Sequence, residues 1–334
     1  PHYLENRNMA HEIEDNKAFF TGEPAWHGLG TVLKDAPTLQ DAWHLAYPHE
    51  LFKLETQAYT TDEAGNVHTV GLPEHRAIVR DDGKVLGVVG QGFEIVQPWD
   101  AMKVFEPLME SGLVELEAGG SLRDGKRMWA LGKVKDSEAE VLKNDLVSQY
   151  FLMATGFDGS LSHTLIPTNV RAVCNNTVQR SISQNDSGVG FKIRHTKSIH
   201  DNIERATQQI HAAHEQFRQD VEAYRHLAKK QVTDSQVSES VTEILAPRTI
   251  DAHKDAEIST RKENQIRYVI NLVHDQREKE LIPAISGTAW QAYNAVTRYL
   301  THDYGNSQDT RLNAQWFGES ATMNRRALDL ACSL

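Results

Sequence analysis

The feature that most constrains this chain is a set of Asp-Gly pairs, each placed between two runs of strand-forming residues. They occur at Asp82-Gly83, Asp124-Gly125 and Asp158-Gly159. Asp-Gly favours the type I′ turn, in which both central residues have φ > 0, so each pair predicts a β-hairpin. A looser Ala-Gly-Asn turn at 64–66 predicts a fourth. Four hairpins predict a substantial antiparallel sheet in the N-terminal half of the chain.

A helical period replaces the strand pattern after about residue 197. From Ile199 to Tyr224 apolar residues recur every three or four positions, which predicts a long helix with a narrow apolar stripe. The stripe either packs onto the sheet or a neighbouring helix, or forms a subunit contact through Ile203, Ile210 and Phe217. Further helices are predicted at about 38–46, 97–111, 233–245, 258–279, 286–302 and 319–332.

Strands followed by helices predict an α+β fold, in which the hairpins build an antiparallel sheet and a helical C-terminal region packs on it. Residues 1–8 precede Met9 and are interpreted as an upstream extension or tag. Residues 9–197 then form a mainly antiparallel β domain with interspersed helices, and residues 198–334 a helical region on the same core. No glycine-rich strand-to-helix turn of the dinucleotide or P-loop type occurs.

Cysteine content and hydropathy set the expected compartment. The chain has two cysteines, Cys174 and Cys332, too few for a disulfide framework and typical of a reducing cytoplasm. No apolar run approaches the ~20 residues that a membrane-spanning helix needs. We therefore expect a cytoplasmic protein with no membrane contact.

Residues capable of catalysis or metal binding do not form a recognisable constellation. Cys174 lies among valines, which predicts a buried core thiol, although Arg171 is near in sequence. Glu115 and Glu117 share one face of a predicted strand, as solvated carboxylates often do. The 16 histidines include no metal-binding spacing. We expect no metal, no cofactor and no catalytic residues; an enzyme using Cys174 or a carboxylate pair is the third hypothesis.

The distribution of charge points to a binding surface. The chain has a net charge of −11, yet residues 171–230 hold ten Lys and Arg against six Asp and Glu, a net of +4 that leaves −15 for the rest. Alternation along a strand would place Lys192 and Arg194 on one face. Because this strand leads into a helix N-terminus, cationic side chains and backbone N–H groups would gather where a phosphate could bind. The alternative is an ordinary solvated charged surface.

The predicted nucleic-acid contacts group around this basic strand. Two arginines flank the Asn175-Asn176-Thr177 block, whose amides suit either turn hydrogen bonds or contacts with phosphates and base edges. Two more basic residues follow the second Asp-Gly turn. The complete predicted set is Lys126, Arg127, Arg171, Asn175, Asn176, Arg180, Lys192, Arg194 and Lys197.

Four separated motifs resemble one known family. They are Met9-Ala-His-Glu with the AWHGLGT run at 25–31, RAVCNNT at 171–177, FKIRHT at 191–196 and GTAWQAYNAV at 287–296. These motifs resemble the phage/plasmid-like proteins of domain-of-unknown-function family 932 (DUF932). The resemblance spans Met9 to nearly the C-terminus and implies a phage, prophage or plasmid setting. It implies no established activity and no catalytic residues.

The order of hairpins, a basic strand and a long helix is also similar, by analogy alone, to the single-strand-annealing recombinases of phages. We therefore predict a non-enzymatic protein that binds or anneals single-stranded DNA as a homo-oligomer, in replication or recombination in the cytoplasm of a bacterial host. The alternative is an interaction or scaffold protein of a mobile element, with an anti-defence or assembly role.

Overall fold

A computed structural model describes residues 13–22, 30–171, 176–178, 191–196, 210–247, 258–275, 282–305, 314 and 318–334. Antiparallel strands dominate the N-terminal half and helices the C-terminal region, so the predicted α+β class is confirmed. Among these residues, no helix is long and apolar enough to cross a membrane.

The strands form two sheets. A nine-stranded sheet has the order β11-β10-β9-β7-β6-β1-β2, with β12 paired to β10 and β8 to β9, and a three-stranded sheet has the order β3-β4-β5. Every pairing is antiparallel except β1 with β2. The strands are β1 Ile13–Thr21, β2 Thr31–Leu33, β3 Leu51–Thr61, β4 Val67–Arg80, β5 Val85–Gly90, β6 Val114–Leu122, β7 Arg127–Val134, β8 Ala139–Leu142, β9 Asp145–Gly156, β10 His163–Arg171, β11 Asn176–Val178 and β12 Phe191–Ile193.

All four predicted hairpins are present, but their turns are not uniformly type I′. At the β6–β7 turn Arg123 and Asp124 have φ of 55° and 58°, so side chains other than glycine occupy the left-handed region. At the β4–β5 turn only Gly83 has positive φ, 86°. There the Asp82 carboxylate accepts a hydrogen bond from the N–H of Lys84 at 3.1 Å, which stabilises a different turn built around the same two residues.

The helices agree with the sequence pattern except at prolines and termini. The segment predicted as one helix at 97–111 is two α-helical pieces joined by the 3-10 helix Lys103–Phe105. Pro107 lies in the first turn of the second piece, since it has no N–H to continue the first. The α-helices are α1 Leu39–Ala46, α2 Pro98–Met102, α3 Glu106–Glu110, α4 Ile210–Lys229, α5 Asp234–Leu245, α6 Thr260–Val273, α7 Ala289–Arg298, extended by a π-helix Tyr299–Asp303, and α8 Glu319–Ser333.

Both faces of the nine-stranded sheet are covered. One face, carrying Met153 and Phe157, packs with α1, α2 and α3 in a first core. The opposite face, carrying Trp129 and Leu152, forms a separate buried cluster. A further core is built from the C-terminal helices around Trp290.

The long helix α4 contributes its apolar stripe to the helical core. Phe217 is 4% exposed and packs there with Val221 and Tyr224. This corrects the prediction of Phe217 as a subunit contact, because its surface is already buried within the chain. Ile203 lies outside the described residues, and Ile210 is described only as the first residue of α4.

The three-stranded sheet is covered on one face. Its inner face places Leu51, Ile78 and Val89 in the first core. Gly87 on that face lies against the β9–β10 turn, so close that a Cβ would sit 2.9 Å from the Cβ of Asp158. The opposite face, called the outer face here, consists of two cross-strand rows, Phe52–Val79–Val85 and Leu54–Ala77–Val88. Beyond these rows β3 and β4 continue into the arm, residues 55–76, a ribbon that is two-stranded except at its base, where His75 and Arg76 also pair with β5.

Candidate nucleic-acid interface

The basic strand and the Asn-Asn-Thr block lie along one edge of β10. Strand β9 pairs with β10 on one side from Thr164 to Arg171. On the other side β12 pairs with the start of β10, where Lys192 lies opposite Thr164, and β11 pairs with its end, where Asn176 lies opposite Arg171. We call this side, with β11 and β12, the β10 edge. The structure therefore brings together two segments 16 residues apart in the sequence.

The geometry of the β10 edge suits an extended ligand. From Thr164 to Arg171 the strand advances seven residues, roughly 23 Å at the usual rise of about 3.3 Å per residue. Lys192 and Asn176 mark the two ends of this line. An edge of that length would accompany roughly four nucleotides of an extended single strand, within the range known for single-strand-binding folds.

A buried histidine holds the end of β12 in place. His195 is mostly buried, and its ring stacks on Phe93 with centroids 4.5 Å apart. Its Nδ1 lies 3.0 Å from the carbonyl oxygen of Glu94, and its Nε2 lies 3.4 Å from the hydroxyl of Thr155. Burial lowers the pKa of His195, against the effect of its bonds to backbone groups. The neutral imidazole thus acts as an anchor, and the preceding residue, Arg194, is exposed.

The structure places only part of the predicted set at this edge. Arg194 is exposed beside β12, and Lys192 and Asn176 lie on the edge by their backbone positions. Lys126 is half-buried in the β6–β7 turn, away from the edge. Asn175, Arg180 and Lys197 lie outside the described residues, as does Cys174.

The structure corrects the prediction for Arg171. Its side chain is 0% exposed, and its Nε and Nη2 donate to the Asp145 carboxylate at 2.6 and 2.8 Å. Asp145 accepts a third hydrogen bond from Nε1 of Trp290 at 2.8 Å. The guanidinium also lies 5.6 Å from the centroid of the indole ring, within cation–π range. A buried, fully engaged guanidinium cannot contact a polyanion at the surface.

Arg127 requires the same correction. It is 8% exposed, begins β7 between Leu122 and Gly156, and donates from Nη2 to the hydroxyl of Ser160 at 2.9 Å. This contact ties the β6–β7 hairpin to the neighbouring β9–β10 turn. Arg127 is therefore a packing residue and not a surface contact.

The buried pair of Arg171 and Asp145 belongs to a polar seam between sheet and helices. Two positions before Arg171 on β10, the amide of Asn169 donates to Asp220 and to the hydroxyl of Tyr224, each at 3.1 Å. Sequence reasoning missed Asp145, Asp220 and Trp290. The available signal was the tryptophan in the GTAWQAYNAV motif, which proves to be the indole that contacts Asp145.

The carboxylates considered for catalysis have structural partners. Glu115 forms an exposed ion pair with Lys135, with Nζ and Oε1 2.6 Å apart. Glu117 sits at a β-bulge of β6, and both its oxygens accept from the hydroxyl of Tyr150, at 3.1 and 3.0 Å. Burial raises the pKa of Glu117, while this hydrogen bond and the charge of Lys133 lower it. In the part of the chain that the structure describes, no cluster of three or more His, Cys, Asp or Glu could hold a metal ion.

The fold and the β10 edge define an α+β protein with a mixed polar and basic sheet edge and a helical C-terminal layer. A family model for DUF932, a domain of unknown function, matches residues 85–327. The chain therefore belongs to the DUF932 family, as the sequence motifs predicted. The match begins at the first residue of β5, so the β3–β4 hairpin lies outside it. No curated protein and no solved structure matches the chain significantly.

Proposed function

We propose that the protein binds single-stranded DNA along the β10 edge, as an oligomeric and non-enzymatic protein of a phage or plasmid that works in the cytoplasm of a bacterial host. The observation that carries the proposal is the shared edge. Pairing with β10 aligns the strand of Lys192 with the strand of Asn176, and exposed Arg194 stands beside the first. Thr164 and Arg171 are an odd number of positions apart on a regular strand, so Lys192 and Asn176 belong to opposite faces of the sheet. A single strand running along the edge itself would therefore meet the two cations near one end and the amide position at the other.

The charge of the whole chain supports a local site. The net charge of −11 repels a polyanion over most of the surface. Binding then depends on the few cations at the edge, and the affinity should fall steeply as salt rises, because each neutralised phosphate releases counterions. The corrections for Arg171 and Arg127 reduce the number of contacts, so the proposal now predicts modest affinity at physiological salt.

Fluorescence anisotropy with a labelled oligothymidine at two salt concentrations tests the proposal. The Lys192→Ala/Arg194→Ala variant should lose affinity about tenfold or more. The slope of the logarithm of the binding constant against the logarithm of the salt concentration should become shallower by roughly 1.4, about 0.7 for each lost phosphate contact on a single strand. The matched control is Lys262→Ala/Arg267→Ala on α6, which removes the same two residue types and the same charge elsewhere. Absence of binding to any oligonucleotide, or equal losses in both variants, would refute local binding at the edge.

A second candidate function, an interaction or scaffold protein of a mobile element, is favoured by a different observation. The outer face of the three-stranded sheet exposes apolar residues of β3 and β5, including Phe52, Leu54 and Val88. A surface of this kind is typical of protein contacts. This role would be favoured if the wild-type protein co-migrates with other proteins of the same mobile element and binds no DNA.

A further inference from the structure

The outer face and the arm form an interaction surface separate from the β10 edge. Two adjoining rows of three apolar residues cross the sheet, and four of the six side chains are about half exposed: Phe52 46%, Leu54 49%, Val85 58% and Val88 53%. Exposed apolar residues usually occur singly. A continuous face of this kind costs free energy in water unless another surface covers it.

We propose that a second copy of this chain covers the outer face, so that the protein assembles as a two-fold dimer by sheet-on-sheet packing. The inference deepens the proposed function, which includes an oligomer, and places the contact on the three-stranded sheet instead of the helix stripe. It can be tested without nucleic acid, so either proposal can fail while the other stands.

The charge of the arm indicates that the molecule covering the outer face is a protein. The arm, residues 55–76, contains four acidic residues against one arginine, a net charge of −3. These acids are Glu55, Asp62, Glu63 and Glu74. A negatively charged arm beside an apolar face repels both nucleic acid and anionic lipid. The outer face itself presents no charged side chain within its two rows.

The symmetry of the face favours an identical partner. In a two-fold contact the same patch lies on both sides, so the patch must complement itself. Two rows of aliphatic and aromatic side chains on regular strands do so, because two such sheets pack face to face with their strands about 30° apart. Neither row brings an unpaired charge against its own copy.

The acidic arm also determines the orientation. If the strands of the two copies ran in the same direction, the tips carrying Asp62 and Glu63 would lie side by side and repel. The opposite orientation sends each arm across the other copy's β4–β5 turn. Nζ of Lys84 at that turn lies 4.0 Å from Asp124, so the β6–β7 turn with Arg123 and Lys126 adjoins it. These two turns also carry Asp81, Asp82 and Asp124, so they have no net charge. The arm reaches roughly 30 Å beyond the centre of the rows, at about 3.3 Å per residue, and in this orientation its acidic tip meets these turns instead of the other acidic tip.

The size of the patch shows that the arm must contribute. With strands about 4.8 Å apart and a rise of about 3.3 Å, the two rows span roughly 10 Å by 7 Å between outermost Cα atoms. Each partner in a stable interface buries about 800 Å². Alternation along β3 continues the outer face into the arm with Ala58 and its cross-strand partner Val70, which is 63% exposed, whereas Tyr59 and Val67 lie on the opposite face of the arm. Packing by the rows alone would be weak, and the face of the arm that carries Ala58 and Val70 lengthens the contact.

Light scattering during size exclusion tests the assembly of the full chain. The wild type should have twice the mass of the 37.6 kDa chain. Leu54→Glu/Val88→Glu adds carboxylates to one row and should raise the dissociation constant about 100-fold or more, because like charges would be buried together. The matched control is Val32→Glu, which alters a residue 50% exposed on the other sheet and should leave the mass unchanged.

An arm-shortened variant separates the contribution of the arm. Replacing residues 58–70 with an Asn-Gly turn keeps Gln57 paired with Gly71 and should weaken the dimer about tenfold or more. Far-ultraviolet circular dichroism checks that each variant is folded. A wild type that stays monomeric at about 100 µM, a range that detects all but the weakest association, overturns the proposal. A Leu54→Glu/Val88→Glu variant that is folded and still dimeric does so too. Lys192→Ala/Arg194→Ala should remain a dimer whether or not DNA binds.

Discussion

The two sheets differ in how many of their faces this chain covers. In the nine-stranded sheet neighbouring residues of opposite orientation are both buried, as Met128 and Trp129 are on β7. In the three-stranded sheet Ile78 is fully buried while Val88 on the opposite face is 53% exposed. The first sheet therefore depends on contacts within the chain, whereas the second keeps one apolar face for a contact elsewhere.

This difference is not visible in the strand sequences. Strand β7 reads RMWALGKV and β5 reads VLGVVG, and both are nearly continuous apolar runs. Such a run predicts a strand with two apolar faces. It does not say whether the second face is covered by the same chain or by another molecule. The distinction depends on tertiary packing, and exposure in the folded chain shows it.

The largest expected effect is at the seam that fastens the nine-stranded sheet to the helices. Asp145→Asn leaves the buried Arg171 without its counter-charge and should lower the free energy of unfolding by about 3–5 kcal/mol, because an unpaired buried charge is costly. Urea unfolding followed by circular dichroism measures it. The control Lys135→Ala removes an exposed lysine that pairs with Glu115 at 2.6 Å, and should cost about 1 kcal/mol or less. Equal costs would contradict the role of the seam.

A smaller effect should separate the two faces of the three-stranded sheet. Gly87→Val forces a side chain against Asp158, whose Cβ and Cα would lie 2.9 and 3.0 Å from the new Cβ. We expect a loss of about 1–3 kcal/mol in the free energy of unfolding, the usual cost of overpacking. Val88→Thr, the next residue on the outer face, should stay within about 0.5 kcal/mol at protein concentrations low enough to keep the chain monomeric. A larger loss for Val88→Thr would show that the outer face packs within the chain.

Local sequence chemistry predicted the hairpins and most helices because it acts over a few residues. The three Asp-Gly pairs and the looser turn lie at the four hairpins that they predicted, and Thr233 caps α5 with Gln236 in a capping box. The fate of Arg171 was not predictable in this way. Its partner Asp145 is 26 positions away, and the Trp290 indole that completes the site is 145 positions from Asp145.

The sequence predicted the strand that carries the candidate site, but it did not predict which strands lie beside it. Alternation identified the 191–193 strand, but only pairing with β10 brings Lys192 onto the same edge as Asn176. The outer face was missed for a related reason. Phe52 and Leu54 read as ordinary core-facing residues, and the register that aligns them with Val85 and Val88 depends on the bulge between Ile78 and Val79.

The smallest expected effect is a pH dependence at Glu117, on the doubly covered sheet. Burial raises the pKa of Glu117 in the folded chain above its value of about 4.3 in unfolded chains. The stability that it contributes is therefore complete below the unfolded pKa and is lost as pH rises through the folded pKa. Glu117→Gln cannot ionise and still accepts from Tyr150, so its free energy of unfolding relative to wild type should increase from pH 4 to pH 7.

The matched control for this effect is Glu115→Gln on the same strand. Glu115 is exposed and paired with Lys135, so its replacement removes an ion pair and should not gain stability as pH rises. Urea titrations of both variants across that pH range decide the matter. If both variants gained stability relative to wild type to the same extent as pH rises, the β6 bulge would be open to water. A rise confined to Glu117 would show that the second face of the nine-stranded sheet excludes water even at its rim, which the outer face of the three-stranded sheet cannot do without a partner.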